Sequence, residues 1–196
     1  MTLTQTPRDA PSNKPASFPG EPGLWLFLFA DMTLFVALFG IVVYIRDDQP
    51  AVFAESQASL SQTLGLVNTL LLLTGSLFVA LGVNATRTGV GRADRLFLAG
   101  IVSGAAFLGV KAIEWGRSIS DGHTVSTNDF FGAYYMLTGI HLAHVTIGIG
   151  VLVAIYRNSR SANLRKDLIE GGACYWHLVD LLWVVLFPLV YLMPAG

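Results

Sequence analysis

The chain has 196 residues, of which 53% are hydrophobic and 13% charged, and its mean hydropathy is +0.58. Such a composition is too apolar for an ordinary water-exposed surface and points to a bilayer as solvent. The formal charge of -1 offers no basic field for nucleic acid, so nucleic-acid binding is set aside, and the single cysteine, Cys174, has no partner for an intramolecular disulfide.

The first 22 residues read as a disordered, cytoplasmic tail. They are polar, and Pro7, Pro11, Pro15 and Pro19 interrupt any helix. No basic segment runs directly into an apolar core as it does in a cleavable signal, so the first apolar run is expected to remain as an anchor.

Residues 23–196 read as one membrane domain, all-α, with five transmembrane helices. The five apolar segments are Leu24 to Ile45, Leu64 to Ala85, Leu96 to Trp115, Phe131 to Tyr156 and Ala173 to Met193. Each approaches or exceeds the roughly 20 residues that cross the hydrocarbon layer, and the connections between them are short and polar. If the spans alternate, the tail, the second loop and the fourth loop carry Arg8, Lys14, Arg87, Arg92, Arg95, Arg157, Arg160, Arg165 and Lys166, whereas the opposite side carries only Arg46 and Arg117. That bias predicts a cytoplasmic N-terminus and an external C-terminus.

Ionisable residues within the spans cost roughly 2.5 to 3.5 kcal/mol each near the bilayer centre on insertion scales, so they must face protein, a partner or water. In the first span Asp31 has no ionisable neighbour one turn away. It either makes a polar contact inside the bundle, faces a partner subunit or proton-conducting region, or stays protonated. In the third span Lys111 and Glu114 share a face and can pair near the outer boundary, and Glu114 could instead serve a histidine of the fourth span.

His141 and His144 in the fourth span are also three apart. They can hydrogen-bond neighbouring helices, relay protons or, in principle, hold a metal from adjacent turns. His177 and Asp180 share a face of the fifth span, which suits a passive hydrogen-bonded pair or a catalytic dyad. No nucleophile motif accompanies them. Small residues at Gly100, Gly104, Gly139, Gly148 and Gly150 would let helices approach closely in lipid. An odd number of spans does not divide into the two inverted halves common among secondary transporters.

TGIHLAHVTIG at Thr138–Gly148, followed by YWHLVDLLWVVLFPLVYL at Tyr175–Leu192, resembles the last two helices of cytochrome c oxidase subunit III. LVNTLLLLTGS at Leu66–Ser76 and KAIEW at Lys111–Trp115 extend the resemblance upstream, over roughly Gly23 to Met193. The family's intramembrane carboxylate and histidine positions would then fall on Glu114, His141, His144, His177 and Asp180, with Asp31 where many members have glutamate. The resemblance implies a subunit docked on the catalytic subunit I of a haem-copper oxidase, surrounded by membrane lipids. It would support sustained turnover and proton uptake and hold no haem, copper or iron itself.

Longer members of that family have seven helices, and the two that form a lipid-filled cleft have no counterpart here. EPGLWLFLFADM and DGHTVSTNDFF look closer to the short branch associated with nitric oxide reductase, which would make the partner a nitric oxide reductase subunit. Two other classes compete from the residues alone. A membrane metalloenzyme predicts stoichiometric metal lost when His141 and His144 are replaced, and a proton or solute carrier predicts flux through liposomes holding this chain alone.

Overall fold

The computed structural model describes residues 22–89, 91–161 and 164–193. Among these the chain forms six α-helices: α1 (Pro22–Asp48), α2 (Pro50–Ala58), α3 (Gln62–Thr88), α4 (Ala93–Ser120), α5 (Asp129–Ser159) and α6 (Lys166–Phe187). A π-helical segment, Pro188–Leu192, closes the fold. Five of the helices are long and apolar enough to cross a membrane. The tail expected over residues 1–22 lies outside the described residues except for Pro22, which already belongs to α1.

Each span is longer than its apolar stretch. Hydropathy marks only the part that meets hydrocarbon, whereas the helix continues to a cap. α5 has 31 residues, about 46 Å at 1.5 Å per residue against about 30 Å of hydrocarbon. Asn128 caps its start, the side-chain oxygen accepting from Phe131 N–H at 3.0 Å. Ser61 accepts from Leu64 N–H at the start of α3, and Gly89, at φ +68°, turns the chain out of its end in the left-handed region that favours glycine.

The first connection is not simply a polar loop. α2 starts with Pro50 at a position that needs no N–H, and it drops Phe53 edge-on against Phe130 of α5 at 4.9 Å. A nine-residue helix is too short to stand out by periodicity, which explains why hydropathy passes over it.

The core is built where side chains of one helix meet glycines of another. α3 and α4 run antiparallel, with Gly82 against Phe97, Val79 against Gly100 and Gly75 against Ser103. Ser103 Oγ donates to the carbonyl of Leu71 across the same seam. The ring of Trp176 on α6 enters between Gly104 and Gly148, where a Cβ would come within 2.7 and 3.0 Å of it. The close-approach role expected of Gly100, Gly104 and Gly148 is therefore present. Among the described residues, a Cβ at Gly150 would meet nothing within 4 Å, and one at Gly139 would meet the edge of Trp115 at 3.5 Å.

At the end of α6, Pro188 has no N–H to donate, and the ladder widens into the π segment. Gln57 donates to the carbonyl of Val190 at 3.0 Å and Gln62 to that of Tyr191 at 3.2 Å. These bonds satisfy two of the carbonyls at the end of the segment.

Candidate functional site

The intramembrane polar residues fall into two groups of different character. One is a closed cluster of α4, α5 and the π segment. Lys111 Nζ donates to Glu114 at 3.2 Å, to Tyr134 Oη at 3.1 Å and to Tyr191 Oη at 2.6 Å. Glu114 Oε1 in turn accepts from Tyr134 Oη at 2.9 Å and from Tyr191 Oη.

All three ammonium donors are used, and each tyrosine hydroxyl accepts from Lys111 while donating to Glu114. Lys111 is 0% exposed, and its charge also lies over the rings of Tyr134, Trp183 and Tyr191 at 4.8 to 5.3 Å. An ion pair without water is tolerable when hydrogen bonds fill its remaining valences, as these do. The cluster is neutral and saturated, so its chemistry is cohesion between helices.

The pairing of Lys111 with Glu114 is thus in place, and Glu114 takes its hydrogen bonds from lysine and two tyrosines instead of a histidine. Tyr134 and Tyr191 were not among the residues the sequence singled out. A tyrosine inside an apolar span is itself a signal, because its hydroxyl needs a partner when buried.

The second group joins α1 to α5. His144 Nε2 lies 2.9 Å from Asp31 Oδ1, and His144 Nδ1 lies 2.7 Å from the carbonyl oxygen of Ile140. A carbonyl oxygen can only accept, so Nδ1 carries a hydrogen. The contact between Nε2 and Oδ1 then needs one more proton, held by either the imidazole or the carboxyl group. With it the pair is neutral; without it two acceptors face each other.

The geometry therefore joins α1 to α5 through one imidazole–carboxyl contact. It is less saturated than the first group: Asp31 Oδ2 has no hydrogen-bond partner among the described residues, and the His144 side chain is 14% exposed. Phe35 packs edge-on against the imidazole at 5.5 Å. Of the alternatives open for Asp31, the structure gives a contact inside the bundle.

His141 and His144 diverge. His141 is turned inward between Phe107 and Trp183, with ring centroids at 5.7 and 5.2 Å, while His144 faces α1. Adjacent turns of one helix hold the two imidazoles but do not converge them, and among the described residues no three His, Cys, Asp or Glu side chains gather as a metal-ligand set.

On α6 the pairing of His177 with Asp180 runs through a third residue. His177 Nδ1 bonds Ser76 Oγ of α3 at 2.6 Å, and the same serine hydroxyl also meets Asp180, whose Oδ1 has no hydrogen-bond partner among the described residues. A neighbouring helix thus inserts a hydroxyl between the imidazole and the carboxyl group that share its face. This serine lies in the LVNTLLLLTGS segment, but nothing in the spacing of the sequence ties it to His177.

Residues 20–194 match the model of the family Cytochrome c oxidase subunit III. A protein named cytochrome c oxidase subunit 3 from Alkalihalophilus pseudofirmus is 34% identical, over 89% of this chain and 86% of its own length. A quinol oxidase subunit 3 from Bacillus subtilis is 28% identical, over 94% and 95%. A heme-copper oxidase subunit I+III from Aeropyrum pernix is 28% identical over 87% of this chain, which spans 22% of that longer polypeptide.

Proposed function

Because the chain belongs to the cytochrome c oxidase subunit III family, we propose that it is the accessory subunit of a haem-copper oxidase, docked on subunit I and supporting its turnover and proton uptake. It is a multi-pass plasma-membrane protein, with five spans. The redox centres belong to subunit I, and this chain contributes helices, packing and the Asp31–His144 proton site. The observation that carries this reading is the family match, which runs through all five spans.

A relative in which subunits I and III form one polypeptide supports direct contact between the two in this complex as well. The basic residues at the ends of the spans support a cytoplasmic N-terminus, so a reporter fused after Gly196 is expected outside the cytoplasm. A reporter active in the cytoplasm would overturn that orientation.

A second reading rests on EPGLWLFLFADM and DGHTVSTNDFF, which resemble the short branch associated with nitric oxide reductase. There the chain would serve the same accessory role beside a subunit that reduces nitric oxide. One experiment tests both readings: purification from the native membrane in mild detergent, with a visible haem spectrum and identification of co-purifying chains. A haem-copper subunit I with bound copper supports the oxidase reading, and a copper-free haem-iron catalytic subunit supports the nitric oxide reading. A chain that purifies alone, active and metal-loaded, contradicts both.

A further inference from the structure

Two aromatic side chains near the end of the fold reach the same lysine from positions that a straight α-helix does not align. Lys111 Nζ lies 5.2 Å from the ring centroid of Trp183, and it donates to Tyr191 Oη at 2.6 Å. Trp183 and Tyr191 are eight residues apart. At about 3.6 residues per turn, eight residues come round to about 80° past the starting face. An α-helix that aims Trp183 at Lys111 therefore carries position 191 off to one side.

The chain does not continue as an α-helix, because Pro188–Leu192 is π-helical. Hydrogen bonds to the fifth residue in place of the fourth underwind the turn, and underwinding takes back most of that angle. Tyr191 returns to the face of Trp183, where it meets both Lys111 and Glu114. Pro188 opens the segment. It has no N–H for the carbonyl of Val184, and its ring crowds that carbonyl in an α-helical turn. Leu189, Val190, Tyr191 and Leu192 carry no such bar to the α register.

Neighbouring helices receive the segment in this register. Gly65 of α3 stands where the rings of Phe187 and Tyr191 lie beside each other, and a Cβ there would come within 2.7 Å of one and 3.1 Å of the other. The carbonyls of Val190 and Tyr191 accept from Gln57 of α2 and Gln62 of α3.

We propose that Pro188 is a positioning residue: it holds the end of α6 in the π register so that Tyr191 closes the Lys111–Glu114 cluster. In the α register the same residues leave that cluster one hydroxyl short. The inference stands on helix geometry and on the contacts of Lys111, independently of the family.

The test is a double-substitution cycle on the full chain in detergent, read together with NMR of ¹³C-labelled tyrosine. Tyr191→Phe is expected to lower the ratio of folded to unfolded chain roughly five- to thirtyfold. Pro188→Ala restores the N–H and removes the ring, so it is expected to lower the ratio at least as far. It is also expected to shift the Tyr191 ring signal, which is identified by its loss in Tyr191→Phe. Together the two substitutions are expected to cost at least about fivefold less than the product of the single losses, because both act through one hydroxyl. Losses that multiply, or a Tyr191 signal left in place by Pro188→Ala, overturn the proposal. A Pro188→Ala chain that fails to fold where Tyr191→Phe folds also overturns it, since Pro188 then does more than aim Tyr191. Should neither variant fold, a density map of the unaltered chain in nanodiscs decides: a π register with Tyr191 on Lys111 upholds the proposal, and an α register past Pro188 refutes it.

Discussion

The Lys111 cluster and the Asp31–His144 pair both place charge-bearing groups inside a membrane bundle, yet their hydrogen bonding differs. In the first, donors and acceptors cancel across three elements, and nothing is left to exchange. In the second, His144 Nε2 and Asp31 Oδ1 meet across α1 and α5 beside a carboxyl oxygen with no hydrogen-bond partner among the described residues. Saturation makes a lock, and the proton role proposed for the pair rests on its incomplete saturation. Burial alone does not separate them, since Asp31 and Glu114 are both nearly covered.

Substitutions can break this contrast, and the largest effect belongs to the lock. Lys111→Met leaves Glu114 as an unpaired buried charge and should destabilise the chain by about 3 to 5 kcal/mol, measured by denaturant titration in detergent. Adding Glu114→Gln should return much of that loss; a double variant as unstable as the single one would mean the pair is not the reason. Tyr191→Phe removes one hydroxyl that both accepts and donates, and should cost about 1 to 2 kcal/mol.

Ser76→Ala should cost about 0.5 to 1.5 kcal/mol by leaving the His177 imidazole without its hydroxyl. Asp180→Ala should move the ¹⁵N signal of His177 less than Ser76→Ala does, because Asp180 reaches the imidazole only through the serine hydroxyl. Asp31→Asn sits at the small end for stability, less than about 1 kcal/mol, because an amide N–H can donate to His144 Nε2 without an added proton. Its effect should appear in turnover of the complex.

The spans were legible because an unbroken run of roughly 20 apolar residues matches the thickness of the hydrocarbon layer. So was the Lys111–Glu114 pair, since three residues along a helix fix a common face. The partners that complete each site were not. Tyr134, Tyr191 and Ser76 come from other helices, and local spacing carries no information about which helix packs against which. Asp31 showed this most clearly: its isolation within its own span announced a partner elsewhere, and only the α1–α5 contact identifies it as His144. α2 escaped notice because a short helix with a polar second half resembles a loop.

The most direct test compares sustained turnover of the assembled complex carrying Asp31→Asn with one carrying Tyr191→Phe, each normalised to the haem that co-purifies with the chain. The prediction is that Asp31→Asn lowers turnover at a normal chain-to-haem ratio, whereas Tyr191→Phe lowers it only as far as assembly is lost. Normal turnover with Asp31→Asn, together with a loss in fully assembled Tyr191→Phe complex, would contradict the division between lock and proton site.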